Sequence, residues 1–306
     1  MALFKRNRNK IKKTREDIIV DTVVTVILAA FSVICFYPLW YVLVASVSTG
    51  THVVKNPGLL LWPDGIHTNA FELAFSHPLL MGALWNSIKI LLMSLPINIV
   101  MTLMCGYFMA STRMKFKKIV ITLLMITMYF SGGLIPAYLN IRDLGLYNSH
   151  WALVLPGALS VYNAIICKTA IEGVPSSLSE SAYIDGANDI QVLFRIIMPL
   201  IKPTLAVLIL YYGVAHWNSW FAASIYLDED ELLPMQNILR SILDATQSAG
   251  QVGADGVGGL GGDGGDAFAE AVKYAAIVIT TVPILCAYPF LQKHFAKGVM
   301  IGAVKG

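Results

Sequence analysis

Two groups of residues in this chain have types and spacings that could do chemistry. The first is a set of polar and aromatic side chains set in otherwise apolar stretches: Asn98, Asn163, His216, Trp217, Asn218 and Trp220. The last four fall in YYGVAHWNSWFAASIYL, the densest such cluster in any apolar run. Aromatic faces suit the CH surfaces of a sugar ring and amide groups suit its hydroxyls, so these six residues are candidates to line a solute path. His216 and Asn218 are costly against lipid and should face the interior of a helix bundle. Two other roles stay open: Trp as an anchor at a membrane interface, and Asn as a hydrogen-bonding bridge between helices.

The second group is the polar stretch from Pro175 to Pro203, PSSLSESAYIDGANDIQVLFRIIMPLIKP. Ser177 and Glu180 stand at capping-box spacing and predict a helix start. Asp185-Gly186 predicts its end, because glycine reverses a chain through the left-handed region without a steric penalty. Asn188 or Asp189 then caps a second helix, whose Leu193, Ile196, Ile197 and Leu200 repeat at i, i+3, i+4 and i+7 and form one apolar face. Pro199 and Pro203 mark the passage into the next apolar run.

The chemistry of enzymes is missing from the sequence. There is no phosphate-cradling G-x-x-x-x-G-K-[ST], so the chain has no means of hydrolysing ATP alone. No paired-carboxylate, Ser-His-Asp or H-E-x-x-H pattern occurs, and the histidines at 52, 67, 77, 150, 216 and 294 are scattered. Cys35, Cys105, Cys167 and Cys286 have neither metal-ligand spacing nor an external pairing partner, and are read as packing residues. A GGLGGD run resembles the start of a calcium-binding nonapeptide, but a single copy cannot build stacked turns.

The elements that must position these residues are membrane helices. Of 306 residues, 56% are hydrophobic and 13% charged, with a mean hydropathy of +0.65; soluble domains carry roughly 25% charged residues. Runs long enough to cross a bilayer, about 17 to 25 residues, are expected near Thr22 to Ala45, Ile88 to Ala110, Ile119 to Tyr138, Trp151 to Cys167, Thr204 to Leu227 and Tyr274 to Leu291. Gly132-Gly133 and Pro136 interrupt the third, and Pro156-Gly157 lie within the fourth. Lys89, near the outer end of the second, snorkels toward headgroups. The organisation follows: residues 1–17 a basic N-terminus, 18–291 a six-helix membrane domain, and 292–306 a tail. Within the membrane domain lie an outer loop at 46–86, the polar segment 175–203, and a glycine-rich outer loop at 228–273 that is flexible in its second half.

Charge fixes the orientation. Of the 22 Lys and Arg, 17 lie before the first run, at 111–118, at 168–203 and after the last run, leaving Lys55, Lys89, Arg142, Arg240 and Lys273 on the other side. By the positive-inside rule both termini and the 175–203 segment are cytoplasmic. The basic N-terminus reads as an orientation signal, with no nucleic acid as partner.

The spacing Glu180-Ser181-Ala182, Gly186, Ile196 and Pro199 resembles the coupling motif E-A-A-x3-G-x9-I-x-L-P of ABC importer permeases, with Ser181 and Met198 as the departures. FSGGLIP and a following GL are similar to a segment of the carbohydrate subfamily that imports complex oligosaccharides, and the terminal Gly302, Val304, Lys305 and Gly306 resemble the tail of maltose-type permeases. The resemblance implies an all-α, polytopic type I ABC importer permease with six transmembrane helices and a cytoplasmic helix-turn-helix coupling segment in the bacterial plasma (inner) membrane. It also implies the partners: a cytoplasmic ABC ATPase dimer, met by Glu180, Ser181, Ala182, Asp185, Gly186, Ile196, Pro199 and the tail; a second homologous permease; an extracytoplasmic solute-binding protein; membrane lipid; and a carbohydrate substrate. No cofactor is expected on this chain, ATP and Mg belonging to the partner ATPase. The competing readings are a permease for a non-sugar solute, a partner-free channel or secondary transporter, and a scaffold with no path. The apolar runs hold no buried carboxylate, which argues against ion coupling.

Overall fold

A computed structural model describes residues 14–113, 116–251, 270–286 and 289. The basic N-terminus up to residue 13, most of the glycine-rich tract, and the tail with Gly302, Val304, Lys305 and Gly306 lie outside the described residues. Among the described residues all regular structure is helical.

Helix α1 (Arg15–Val47) starts seven residues before the expected Thr22, because Thr14 and Asp17 form a reciprocal capping box. Apolar residues cover all its sides and it is exposed along most of its length, its buried residues being Val44, Ala45 and Ser46 near its C-terminal end. The loop after it carries short helices α2 (Gly50–Lys55) and α3 (Asn69–Ser76). That loop is pinned back onto α1: the Tyr37 hydroxyl donates to the Gly58 carbonyl and accepts from the Leu60 N–H, both at 2.9 Å, and Trp40 Nε1 donates to the Leu61 carbonyl at 2.9 Å.

Helix α4 (Leu80–Ala110) is the spine of the bundle. Its buried residues include Ile90, Ser94, Asn98, Thr102 and Gly106, a strict i, i+4 stripe of mostly small and polar side chains. Such residues let membrane helices approach closely and hydrogen-bond across the contact, where apolar packing against lipid gives no preference. Lys89 lies in the third turn of α4, because the helix begins eight residues before the expected Ile88.

The expected third run is two helices, α5 (Lys117–Tyr129) and α6 (Leu134–Asp143), bent by 112°. Gly133, with φ +92°, makes the break that the Gly-Gly pair predicts. The fourth run is not the continuous helix expected. It consists of α7 (Trp151–Val154) and α8 (Val161–Glu172), because Pro156-Gly157 stops the helix and Ser160 caps a new one. Only α1 and α4 are single helices long and apolar enough to cross a membrane among the described residues, or up to four spans if the bent pairs each count as one.

The polar segment that follows holds α9 (Ser176–Ile184), α10 (Asp189–Gln191), a π turn (Val192–Ile197) and α11 (Met198–Leu200). An 89° bend at Ile201 leads into α12 (Lys202–Trp217). The expected fifth run is therefore α12 plus α13 (Phe221–Tyr226), separated at Asn218 to Trp220. The stretch at 228–273 departs from the expected loop, since Met235–Gln251 forms a seventeen-residue helix, α14. Its Met235, Ile238 and Ile242 pack with Leu80 and Ala83 of α4 and with Ala271, Ala275 and Ala276 of the last helix, residues 270–286. The acidic run before α14 is held by Asn148, whose Oδ1 accepts from the Asp228 and Glu229 N–H groups, and by Asn86, whose Nδ2 donates to the Glu231 carbonyl. A second core joins the other end of α4 to α8, α9, the π turn and α12 through Leu103, Cys167, Ala182, Val192, Leu193, Ile197 and Leu205.

Candidate coupling segment and solute path

The segment from Pro175 to Leu200 is a helix, a glycine turn and a second helix, but its first cap differs from the expected one. Pro175 occupies the N-cap and no side chain caps α9, so Ser177 sits inside the first turn and cannot pair with Glu180 across it. With Pro175 at the N-cap the N3 position falls on Leu178, and neither residue has a polar side chain with which to form the reciprocal box. The box appears eleven residues later with the same spacing: Asn188 accepts from the Gln191 N–H at 2.9 Å, and Gln191 Oε1 accepts from the Asn188 N–H at 3.0 Å.

Between the two helices the chain closes as a Schellman turn. Ala187 N–H donates to the Ala182 carbonyl at 2.9 Å and Gly186 N–H to the Tyr183 carbonyl at 3.1 Å, with Gly186 at φ +84°. The π turn then changes the buried face. A wider turn brings residues about five apart into line, so Val192 and Ile197 are buried together with Leu193, Ile196 is half-buried, and Leu200 is 51% exposed. The expected i, i+3, i+4, i+7 face is overturned at its last position for that reason.

Of the expected coupling residues, Ala182 is buried in the core shared with α4 and α8, while Glu180, Ser181, Asp185, Gly186 and Pro199 are exposed. The most exposed apolar side chains here are Ile184 at 86% and Ile190 at 68%, one on each side of the glycine turn. Sequence reasoning passed them over. The available signal was two isoleucines flanking Gly186 in an otherwise polar stretch.

A polar cluster attaches this segment to α4. The Tyr107 and Tyr183 hydroxyls are 2.6 Å apart, and both reach Asp189 Oδ1, at 3.0 and 2.5 Å. The Arg113 guanidinium lies 3.9 Å above the Tyr183 ring. Hydrogen bonds from Tyr183 first and Tyr107 second hold the Asp189 carboxyl below its usual range, while burial and the bond to Asp189 push the Tyr183 phenol up. An open cavity of about 360 Å³ lies beside the cluster, lined by Ser111, Arg113, Lys117, Glu172, Glu180 and Tyr183 among others, with charges of both signs.

The six expected path residues do not gather around one space. Asn98 is 0% exposed, and its Nδ2 donates to the Gly157 and Ala158 carbonyls at 2.7 and 3.1 Å. Its Oδ1 lies 3.0 Å from His216 Nε2. These carbonyls were freed by the break between α7 and α8, and broken backbone at membrane depth persists where neighbouring helices satisfy it. Tyr212 completes the repair: its hydroxyl accepts from the Ser160 N–H at 2.9 Å and bonds Thr102 Oγ1 at 2.7 Å. Asn163 is buried just inside α8. Trp217 is buried and donates to the Thr280 carbonyl of the last helix at 3.2 Å. Asn218 is exposed, and Trp220 carries the Arg240 guanidinium 3.7 Å over its ring.

Residues 12–301 match the family model described as binding-protein-dependent transport system inner membrane component. The chain belongs to this family. It is 35% identical, over 94% of its length and 98% of the relative's, to the polygalacturonan/rhamnogalacturonan transport system permease protein YtcP of Bacillus subtilis. It is 34% identical to protein LplC of the same organism, with 96% and 97% of the two chains covered. A chain in the crystal structure of a bacterial ABC transporter involved in the import of the acidic polysaccharide alginate superposes with a TM-score of 0.79 at 28% identity, covering 92% of this chain and 99% of that one. The protein is thus an inner membrane transport component with the helical fold of an ABC importer, as the coupling motif and the FSGGLIP segment imply, and its family is one of permease subunits rather than enzymes.

Proposed function

We propose that this chain forms half of the translocation path of an ATP-driven importer for an oligosaccharide and receives its driving force through residues 177–199. The observation that carries this reading is the exposed helix, Schellman turn and helix with Ile184 and Ile190 projecting on either side of Gly186. Such a knob suits insertion into a cleft of a cytoplasmic ATPase. Exposed isoleucines supply apolar area, and Glu180, also exposed, supplies a charged contact at the rim. The Lys and Arg asymmetry supports a cytoplasmic position for this segment and both termini, and with it six membrane crossings. ATP and Mg belong to the ATPase dimer. The largely exposed α1 and the scattered path residues support a second permease subunit that completes the conduit. The carbohydrate assignment rests on the polysaccharide substrates for which this chain's relatives are named, and an extracytoplasmic binding protein is implied by the family description. The Gly302 to Gly306 tail is assigned to the ATPase interface by its resemblance alone.

The test is reconstitution in proteoliposomes with the ATPase, the second permease and the binding protein. Uptake of an oligosaccharide that requires both ATP and the binding protein is the expected result. Uptake by this chain in the absence of an ATPase overturns it.

A further inference from the structure

The 176–200 segment is joined covalently to α8 on one side and to α12 on the other, so neither covalent link is to α4. Helix α4 nevertheless clamps the break between α7 and α8, directly through Asn98 and by way of the Tyr212 hydroxyl through Thr102. Its packing against α9 and the π turn runs through apolar groups such as Leu103, Ala182 and Ile197. Apolar contact is non-directional and tolerates sliding, whereas hydrogen bonds fix distance and angle. Beyond that apolar contact, α9, α10 and α4 meet at one polar atom, Asp189 Oδ1, which accepts from Tyr183 of α9 and Tyr107 of α4. Asp189 is itself fixed at the first helical position behind the Asn188 cap, and Tyr183 is fixed by the Schellman turn and by Arg113 over its ring. Tyr107 lies five residues beyond Thr102 and nine beyond Asn98, about 7 and 14 Å along the helix axis.

Resting on the coupling role proposed above, we propose that Tyr107, Tyr183 and Asp189 form the joint through which movement of the 176–200 segment is passed to α4, and so to the clamped break at Gly157 and Ser160. Tyr107 and Asp189 are positioning residues: they touch neither solute nor nucleotide. The joint makes the helix-turn-helix and the spine of the bundle move as one body.

The test uses the assembled transporter in proteoliposomes, comparing wild type with Tyr107→Phe, Asp189→Asn and the double variant, and reading solute taken up per ATP hydrolysed. Each single change is expected to leave the ATPase bound in unchanged stoichiometry and to lower the ratio by at least about fivefold, with the double variant no worse than the poorer single. Tyr183→Phe, which leaves the Tyr107 bond to Asp189, is expected to fall in between. A purely structural role would lower uptake and hydrolysis in step and leave the ratio unmoved, which overturns the inference; so do two single effects that multiply in the double variant. Tyr107→Phe keeps the ring and removes only the hydroxyl, so it decides the question if Asp189→Asn does not assemble. A wild-type chain that retains no ATPase overturns the coupling role and the joint together; a bound ATPase with unchanged ratios overturns the joint alone.

Discussion

Asn98 Nδ2 lies 2.7 Å from the carbonyl oxygen of Gly157, so the most deeply buried amide of α4 is spent on the backbone of a broken helix. Both its donors go to carbonyls, of Gly157 and Ala158, which leaves Oδ1 to accept from a proton on His216 Nε2. Asn98→Leu keeps the volume but strands two carbonyls and a ring N–H. Each buried group left unpaired costs about 1–3 kcal/mol. The purified complex should therefore melt at a clearly lower temperature, and Tyr212→Phe, which strands the Ser160 N–H, should have a smaller effect of the same sign. A solute-contact role predicts the opposite pattern: an unchanged melting temperature with an altered KM for uptake.

Gly186 adopts φ +84°, and a Cβ built on it meets no atom within 4 Å. Substitution there is penalised through the backbone alone, by about 1–2 kcal/mol for an ordinary L-residue and less for asparagine. Transport by the series should fall in the order Gly, Asn, Ala, Val, while all four insert into the membrane at equal levels. Equal uptake by Gly186→Val and wild type would show that the turn does not have to hold its shape.

The Asp189 carboxyl sits below its ordinary value of 3.8 because two tyrosine hydroxyls bond its charged form. A depressed folded-state value means that the stabilisation is complete above 3.8 and is lost as pH falls through the lower, folded value. The melting-temperature difference between wild type and Asp189→Asn is therefore expected to stay constant from neutral pH down to 3.8 and to close below it. Tyr183 titrates above its ordinary 10.0, chiefly through burial, so its contribution is intact below 10.0 and disappears only as pH rises through the folded value. A difference that closed between pH 5 and 8 would point to another titrating group.

The parts of this protein legible in sequence were those fixed by local backbone chemistry. Gly186, Asn188 and the Gly132-Gly133 break act through their own torsions and caps, and the structure places all three as expected. The Ser177 to Glu180 box failed on the same local scale, because Pro175 took the N-cap and shifted the frame by two residues. What could not be read was partnership across the bundle. Asn98 is equally polar whether it faces water or a carbonyl freed 59 residues away, and only the fold supplies Gly157. Tyr107 and Asp189 are 82 residues apart and carry no mutual signal. Helix α14 was hidden by the glycine-rich tract behind it, although Met235, Ile238 and Ile242 already show a helical spacing.

At Gly106 the backbone of α4 lies directly against Cys167 and Lys168 of α8. A Cβ there would lie 2.9 Å from both Cβ and Sγ of Cys167 and 3.2 Å from the Lys168 backbone nitrogen. Gly106→Ala must push the helices apart, an overpacking that typically costs about 1–3 kcal/mol. Trimming Cys167 to alanine removes Sγ but leaves its Cβ and the Lys168 nitrogen in place, so the double variant should recover little of the lost melting temperature. The displaced helix carries Tyr107 as its very next residue. Gly106→Ala is therefore expected to lower both thermal stability and solute moved per ATP, whereas Tyr107→Phe lowers the ratio with a much smaller loss of stability. Measuring both quantities on the two variants separates packing of the spine from its attachment to Asp189, and full rescue of Gly106→Ala by Cys167→Ala would show that the backbone contact at Lys168 is not limiting.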